Sequence, residues 1–412
     1  MSQKIGYAAI DVGSTGIRVA IGSPNEDGLL KIYGAATGES KGILKGSVVN
    51  LREASASLAN CFNEAVFEAG IVPEYSILGI SDPHISSVTT TGTIYRESPS
   101  GTTKDDLDGA LKNASPHDLP NGKELLHLMP ISYTLDDIPG VSRPIGMHAE
   151  VLQVKAASIL GGTSPLNNLK KAAKNAGVNP KGIVFTSLCL SDSILTPDQR
   201  QQGALLIDMG AGTTSVTYFE NGAISGAKVI GVGGNNITND VAVVLGIPYK
   251  EAENAKISSG TTEPWRASST GVLPVGGFNV EDEIGTISQR ELCAVIRERA
   301  EEIFQLVRDE LDDMGIQPLP TLEVVLTGKT STMLGMKDLA QDVLGCRVHI
   351  HSTASEFIKT NSDIDRATSI LEWWHTHAAA PILRGKLSNR RSHGNRSLFG
   401  QLAAIRRKLV AA

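Results

Sequence analysis

One pattern occurs twice in this chain and constrains its fold more than any other feature. Ala8-Ala9-Ile10-Asp11-Val12-Gly13-Ser14-Thr15-Gly16 returns in altered form as Leu205-Leu206-Ile207-Asp208-Met209-Gly210-Ala211-Gly212-Thr213-Thr214. Each copy is an apolar run ending in Asp, a glycine-containing turn rich in hydroxyls, and then alternating apolar residues: Ile17, Val19 and Ile21 in the first, Val216 and Tyr218 in the second. That order reads as a β-hairpin in both places. Two copies half a chain apart imply two related domains facing each other, and the 412-residue length allows two to four domains or subdomains.

The chemistry of such a turn is specific. Glycines let backbone N–H groups approach phosphate oxygens closely, hydroxyls add donors, and an Asp at the strand end can hold a hydrated Mg²⁺. Gly13, Ser14, Thr15, Gly210, Gly212, Thr213 and Thr214 are therefore candidate phosphate ligands, with Asp11 and Asp208 the candidate catalytic and metal-binding pair. A single Asp-x-Gly after a strand is usually an ordinary turn; the repetition carries the reading.

Three further segments fit the same cleft. Gly233-Gly234-Asn235 precedes a segment of helical spacing from Ile237 to Ala242, so these glycines either bring amides to a phosphate at a helix N-terminus or form a flexible loop with an Asn cap. Glu253 and Lys256 lie three apart on one face of a helix-like segment, where they either grip a ribose or adenine or form a solvated ion pair; spacing alone favours the pair. Gly328-Lys329-Thr330 resembles the end of a P-loop, but that motif needs a glycine where Glu323 stands. What remains is a strand, Glu323–Thr327, ending in a glycine turn suited to a nucleoside.

Net charge is -6, with 41% hydrophobic residues, which excludes a disordered chain. The total hides an asymmetry. From Trp373 onward there is no Asp or Glu, while Arg384, Lys386, Arg390, Arg391, Arg396, Arg406, Arg407 and Lys408 contribute +8 and leave a body of -14. Within the segment from Ser397 to Val410, Leu398, Leu402, Ile405 and Leu409 share one helical face with Phe399 beside them, while Arg407 and Lys408 lie opposite and Arg406 sits at the flank. Fourteen residues make a helix of roughly 21 Å, too short to span a bilayer but suited to lie in its interface. Each large apolar side chain contributes up to roughly 1.5–3 kcal/mol there, and each basic residue about 1 kcal/mol against anionic lipid. An ordinary terminal helix packed on the core is the competing reading, against which the polar linker argues. The apolar stripe has no role on nucleic acid. Cys61, Cys189, Cys293 and Cys346 show no paired spacing and read as buried thiols of a cytoplasmic protein. His349-x-His351 and His375-x-His377 read as surface or strand histidines, since no Cys or carboxylate cluster joins them.

These residues resemble the actin/Hsp70/sugar-kinase superfamily, and within it the bacterial cell-division FtsA family. The two Asp-x-Gly loops and the Gly328 turn mark the superfamily. The narrower resemblance rests on Ser40-Lys41-Gly42-Ile43-Leu44-Lys45-Gly46 followed by a helix-like segment to Ala69, on Glu124–Pro130 with Pro144–Met147, and on Gly233-Gly234-Asn235 through Asp240. It covers nearly the whole chain and implies an α/β, actin-like two-lobed ATPase fold with an inserted 1C-type α+β subdomain and a C-terminal amphipathic helix. The implied division is subdomain 1A at 1–82 and 163–190, 1C at 83–162, 2A at 191–242 and 320–372, 2B at 243–319, a basic linker at 373–396 and the helix at 397–410. The resemblance further implies ATP and Mg²⁺ as cofactors, with Glu253, Lys256, Gly328 and Lys329 around the nucleoside. It implies filaments on the inner face of the cytoplasmic membrane at the division site, and tethering of the FtsZ ring by its C-terminal peptide. Arg290, Arg297 and Arg299, on a helix expected from Ser288 to Leu311, either meet that acidic peptide or form a solvated face. Other division proteins would meet the inserted subdomain; nucleic acid is not an expected partner.

Five departures from the family pattern bear on catalysis. Ala211 replaces a glycine of the second loop, Ser215 a frequent Asp, Gly16 a frequent lysine of the first loop with Arg18 two residues on, Lys329 the second glycine of the adenosine turn, and Ile370 a late glycine. Binding of ATP with slow or absent turnover is the expectation. A small-molecule kinase of the same superfamily and an actin-like adaptor of type IV pilus machinery are the alternatives.

Overall fold

A computed structural model of the chain describes residues 6–377, except 26–27, 97–100, 117, 278–284, 318–319 and 352–364. The expected membrane helix, with Leu398, Phe399, Leu402, Ile405, Arg406, Arg407, Lys408 and Leu409, lies outside the described residues, as does the linker from 378.

The chain begins with β1 (Tyr7–Val12), β2 (Gly16–Pro24) and β3 (Leu30–Glu39), a short hairpin of β4 (Ile43–Leu44) and β5 (Ser47–Val48), then α1 (Leu51–Ala69) and β6 (Ser76–Ile80). An insert follows: β7 (Ser86–Tyr95), α2 (Lys104–Asn113), β8 (Lys123–Leu135), β9 (Ile138–Val141) and β10 (Val151–Gly162). The first lobe resumes with α3 (Thr163–Asn175), β11 (Pro180–Phe185), α4 (Thr186–Ile194) and α5 (Pro197–Gln202). The second lobe holds β12 (Ala204–Met209), β13 (Thr214–Glu220), β14 (Ala223–Ile230), α6 (Gly234–Leu245), α7 (Tyr249–Ser259), β15 (Val272–Val275), β16 (Gly285–Ser288), α8 (Gln289–Asp313), β17 (Glu323–Thr327), α9 (Met336–Leu344) and β18 (Arg347–Ile350). Helix α10 (Asp365–Thr376) returns to the first lobe and packs on β1 and α4.

The sequence repeat becomes a repeat of sheets. The first lobe's strand order is β11-β6-β1-β2-β3, and the second lobe's is β18-β17-β12-β13-β14. In each, the Asp-bearing strand pairs antiparallel with the next strand and parallel with a later one. Both Asp-bearing strands are covered on two faces, which is why they read as unbroken apolar runs. Along β12, Ala204 and Leu206 pack toward the first lobe's core, while Leu205, Ile207 and Met209 pack into a second core with α8 and α9. Helix α8 carries its buried residues Leu292, Ile296, Ile303, Val307 and Leu311 in one stripe and is capped by Ser288 Oγ, which accepts from Glu291 N at 3.3 Å.

The insert has its own core around Ala110, Leu111, Leu128, Leu152 and Val154. It enters between β6 and α3 of the first lobe, yet its sheet continues the second lobe's: β7 meets β14 at Ser86 and Lys228, giving nine strands in one sheet. Ser87 Oγ accepts from Ala227 N at 2.7 Å across this junction.

Candidate functional site: a cleft between two Asp-x-Gly hairpins

The two hairpins are built alike. Gly13 N donates to Gly16 O at 3.0 Å and Gly210 N to Thr213 O at 2.9 Å, closing equivalent turns. Asp11 sits opposite Arg18 and Asp208 opposite Ser215 in equivalent registers. The loops converge so closely that a Cβ on Gly212 would stand 2.3 Å from Ser14 Oγ and 3.1 Å from Lys45 Cα, so only glycine fits there. Gly46 N in turn donates to Ser14 Oγ at 3.2 Å, placing the β4–β5 turn against both loops. Between the lobes lies a cavity of about 1310 Å³, bordered by Asp11, Gly13, Ser14, Thr15, Asp208, Gly210, Gly212, Thr213, Gly234, Asn235, Glu253, Lys256, Gly328 and Lys329. It exceeds the roughly 300–1,000 Å³ usual for small-molecule sites.

Two of the expected phosphate ligands are not at the cavity surface. Thr214 is fully buried, and its hydroxyl donates to Val232 O at 2.9 Å; in a strand the side chain after the turn faces the sheet's packed side. Gly233 lies behind the second loop, where a Cβ would meet Gly210 O at 2.7 Å. The first amides of α6 are also engaged: Gly234 N donates to Gly210 O at 3.0 Å and Asn235 N to Ala211 O at 2.7 Å. The Gly233–Asn235 segment therefore braces the second loop; its amides do not point into the cavity as the sequence suggested.

Glu253 and Lys256 form an ion pair, but not a solvated one. Lys256 is 9% exposed, and its Nζ donates to Glu253 Oε2 at 2.6 Å, Thr238 Oγ1 at 2.7 Å and Gly234 O at 3.2 Å. This network ties α7 to the start of α6 at the cavity wall. Gly328 takes φ 90°, a conformation that L side chains rarely adopt, and a Cβ there would press Met209 O at 2.4 Å.

The decisive residue is one that sequence reading missed. Arg366, in the first turn of α10, sends Nε to Asp11 Oδ2 at 3.0 Å and its two terminal nitrogens to Asp208 Oδ1 and Oδ2 at 2.8 and 2.9 Å. Arg18 adds a contact to Asp11 Oδ2 at 3.2 Å, and Thr186 Oγ1 donates to Asp11 Oδ1 at 3.1 Å. Burial alone would raise the Asp11 pKa; the Arg366 and Arg18 charges outweigh it and hold this carboxyl below the usual range. Burial likewise works against the Arg366 charge, and the two carboxylates outweigh it.

This donor set does not fit the expected Mg²⁺. Mg²⁺ uses carboxylate oxygens, directly or through water. All four oxygens of Asp11 and Asp208 already accept hydrogen bonds, and two guanidinium charges match the two carboxylate charges. In this structure Asp11 and Asp208 are the counter-ions of Arg366, an arrangement that does not fit the metal-ligand role expected of them. Among the described residues no cluster of three His, Cys, Asp or Glu offers another metal site.

The arginines of α8 have mixed surroundings. Arg297 donates to Thr262 O at 3.0 Å and lies 4.9 Å over the Trp265 ring, while Arg299 pairs with Asp240 and Glu302. Arg290 is exposed. His349 lies 3.7 Å from Glu323, and His377 stacks on Trp373.

A duplicated sheet clasping one cleft defines the actin-like class, and solved structures agree. The PilM–PilN type IV pilus biogenesis complex matches with a TM-score of 0.58 at 16% identity, covering 90% of this chain and 98% of that one. MreB5 of Spiroplasma citri bound to ADP matches with a TM-score of 0.52 at 14% identity, covering 92% and 98%. The model for cell division protein FtsA matches residues 205–370, and the model for the SHS2 domain inserted in FtsA matches 83–160. The cell division protein FtsA of Pseudomonas aeruginosa is 30% identical over 347 residues, 83% of this chain and 81% of that protein. That of Bacillus subtilis is 30% identical over 84% of this chain and 78% of its own length. The chain belongs to the FtsA family of cell-division proteins.

Proposed function

We propose that this protein binds ATP in the cleft between its lobes with slow or absent turnover, polymerises at the cytoplasmic face of the inner membrane, and tethers the FtsZ ring and other division proteins there. The observation that carries the nucleotide part is the convergence of two equivalent Asp-x-Gly hairpins on one cavity whose two carboxylates are both held by Arg366. Family membership supports the scaffold part. The ligands toward phosphate are Gly13, Ser14, Thr15, Gly210, Gly212 and Thr213, with Glu253, Lys256, Gly328 and Lys329 toward the nucleoside. Hydrolysis needs a carboxylate able to orient or deprotonate water, and the guanidinium charges held against Asp11 and Asp208 make both poor bases. The same engagement counts against the kinase alternative, which needs a free catalytic base.

FtsZ's acidic C-terminal peptide would dock on the second lobe near α8, with Arg290 as its exposed cation. Residues 397–410 would lie in the lipid interface. The test is fluorescence anisotropy of a labelled FtsZ C-terminal peptide titrated with the protein, alongside a phosphate-release assay with ATP. Saturable peptide binding with negligible phosphate release is expected. Absence of peptide binding would remove the tether, and brisk release would remove the slow-turnover reading.

A further inference from the structure

We infer that Arg366 is the resident cation of the cleft, so that nucleotide binds with no divalent metal between its phosphates and the two aspartates. The inference rests on the nucleotide reading above and adds what the nucleotide meets. Three features point the same way. Arg366 bridges the lobes, with Asp11 on the first and Asp208 on the second, which puts its charge between the two carboxylates. The bond to Asp208 is bidentate at 2.8 and 2.9 Å, the geometry in which a planar guanidinium matches a carboxylate best. Arg18 supplies a second positive charge opposite Asp11 in the strand register, so the charges of the two aspartates are already matched. A divalent ion added there would face two fixed cations and carboxylates without an unengaged oxygen.

The Arg366 side chain remains 20% exposed. Of the five N–H donors of a guanidinium, three are engaged with carboxylate oxygens, so two remain for a polyphosphate oxygen. Arg366 is thus a positioning and phosphate-binding residue that occupies the place of an exchangeable metal.

The test is titration of a fluorescent ATP analogue in excess Mg²⁺ and in EDTA, with Mn²⁺ binding to the nucleotide-free protein followed by water proton relaxation. Wild-type affinity is expected to agree between Mg²⁺ and EDTA within about twofold. Weakening by about tenfold or more in EDTA overturns the inference. Arg366→Gln is expected to make binding Mg²⁺-dependent and to gain a Mn²⁺ site that Asp208→Asn removes. Where the analogue binds under neither condition, the nucleotide reading falls and Mn²⁺ decides the cation: a Mn²⁺ held by wild type and lost in Asp208→Asn overturns the inference, and Mn²⁺ held by Arg366→Gln alone supports it. The wild-type measurements need no variant to fold.

Discussion

Arg366 stands where a helix disfavours it. The N-terminal turn of α10 carries the positive end of the helix dipole, a cost of about 0.3–1 kcal/mol for a cation. Two buried carboxylates outweigh that cost, since Asp11 and Asp208 are only 3% and 2% exposed. Removing the guanidinium strands both, so Arg366→Ala is expected to lower stability by roughly 3–5 kcal/mol in urea unfolding. Adding Asp208→Asn should recover part of the loss; strictly additive effects would mean the pair is not coupled. Asp11 gives the acid limb of the same network. Its native pKa is lowered from 3.8, so its contribution is complete above the unfolded value and disappears as pH falls through the lower native one. Wild type should therefore lose urea stability more steeply below pH of about 4 than Asp11→Asn does, and parallel curves would contradict this. The sequence exposed both aspartates because each closes one copy of a repeat. It hid Arg366 because no pattern joins a lone arginine to an aspartate 355 residues earlier; only the return of α10 to the first lobe brings them together.

Elements were legible where one periodicity ruled them. The strand Glu323–Thr327, read from its sequence, stands in the structure, and the helix that the resemblance placed at Ser288 to Leu311 is α8, within a residue or two. The second Asp-x-Gly loop was legible as a loop but not in its details, since the α6 amides serve Gly210 and Ala211 carbonyls that local sequence does not announce. The seam between β7 and β14 was not legible at all, for it depends on how two lobes dock. Helix α1 buries Cys61 against β2 and β3 and pushes its thiol pKa up to about 12, and burial also raises the Cys189 thiol well above its ordinary value. All four cysteines are buried, so a thiol reagent at pH of about 8 should find less than about one thiol per native chain and all four after denaturation. On α8, Arg290→Glu should weaken FtsZ peptide binding more than Arg299→Ala, because Arg299 is occupied by Asp240 and Glu302. Equal losses in anisotropy titrations would place the peptide elsewhere.

At the scale of the molecule, two copies of one sheet face a common cavity, with a third module wedged along the second lobe's edge. The family match covers 83% of the chain, whereas the +8 tail lies beyond the described residues and is known from its sequence pattern alone. Among the described residues no helix is long and apolar enough to cross a membrane, and the proposed attachment would rest on residues 397–410. A -14 body would not settle on anionic lipid unaided, so under the proposed function the basic tail would have to supply the lipid contact. The most direct measurement is co-sedimentation of FtsZ with anionic vesicles in the presence of this protein and ATP. FtsZ should pellet with the full chain and stay in the supernatant with a chain ending at Arg396; FtsZ that pellets equally with both, or with neither, would contradict the tether.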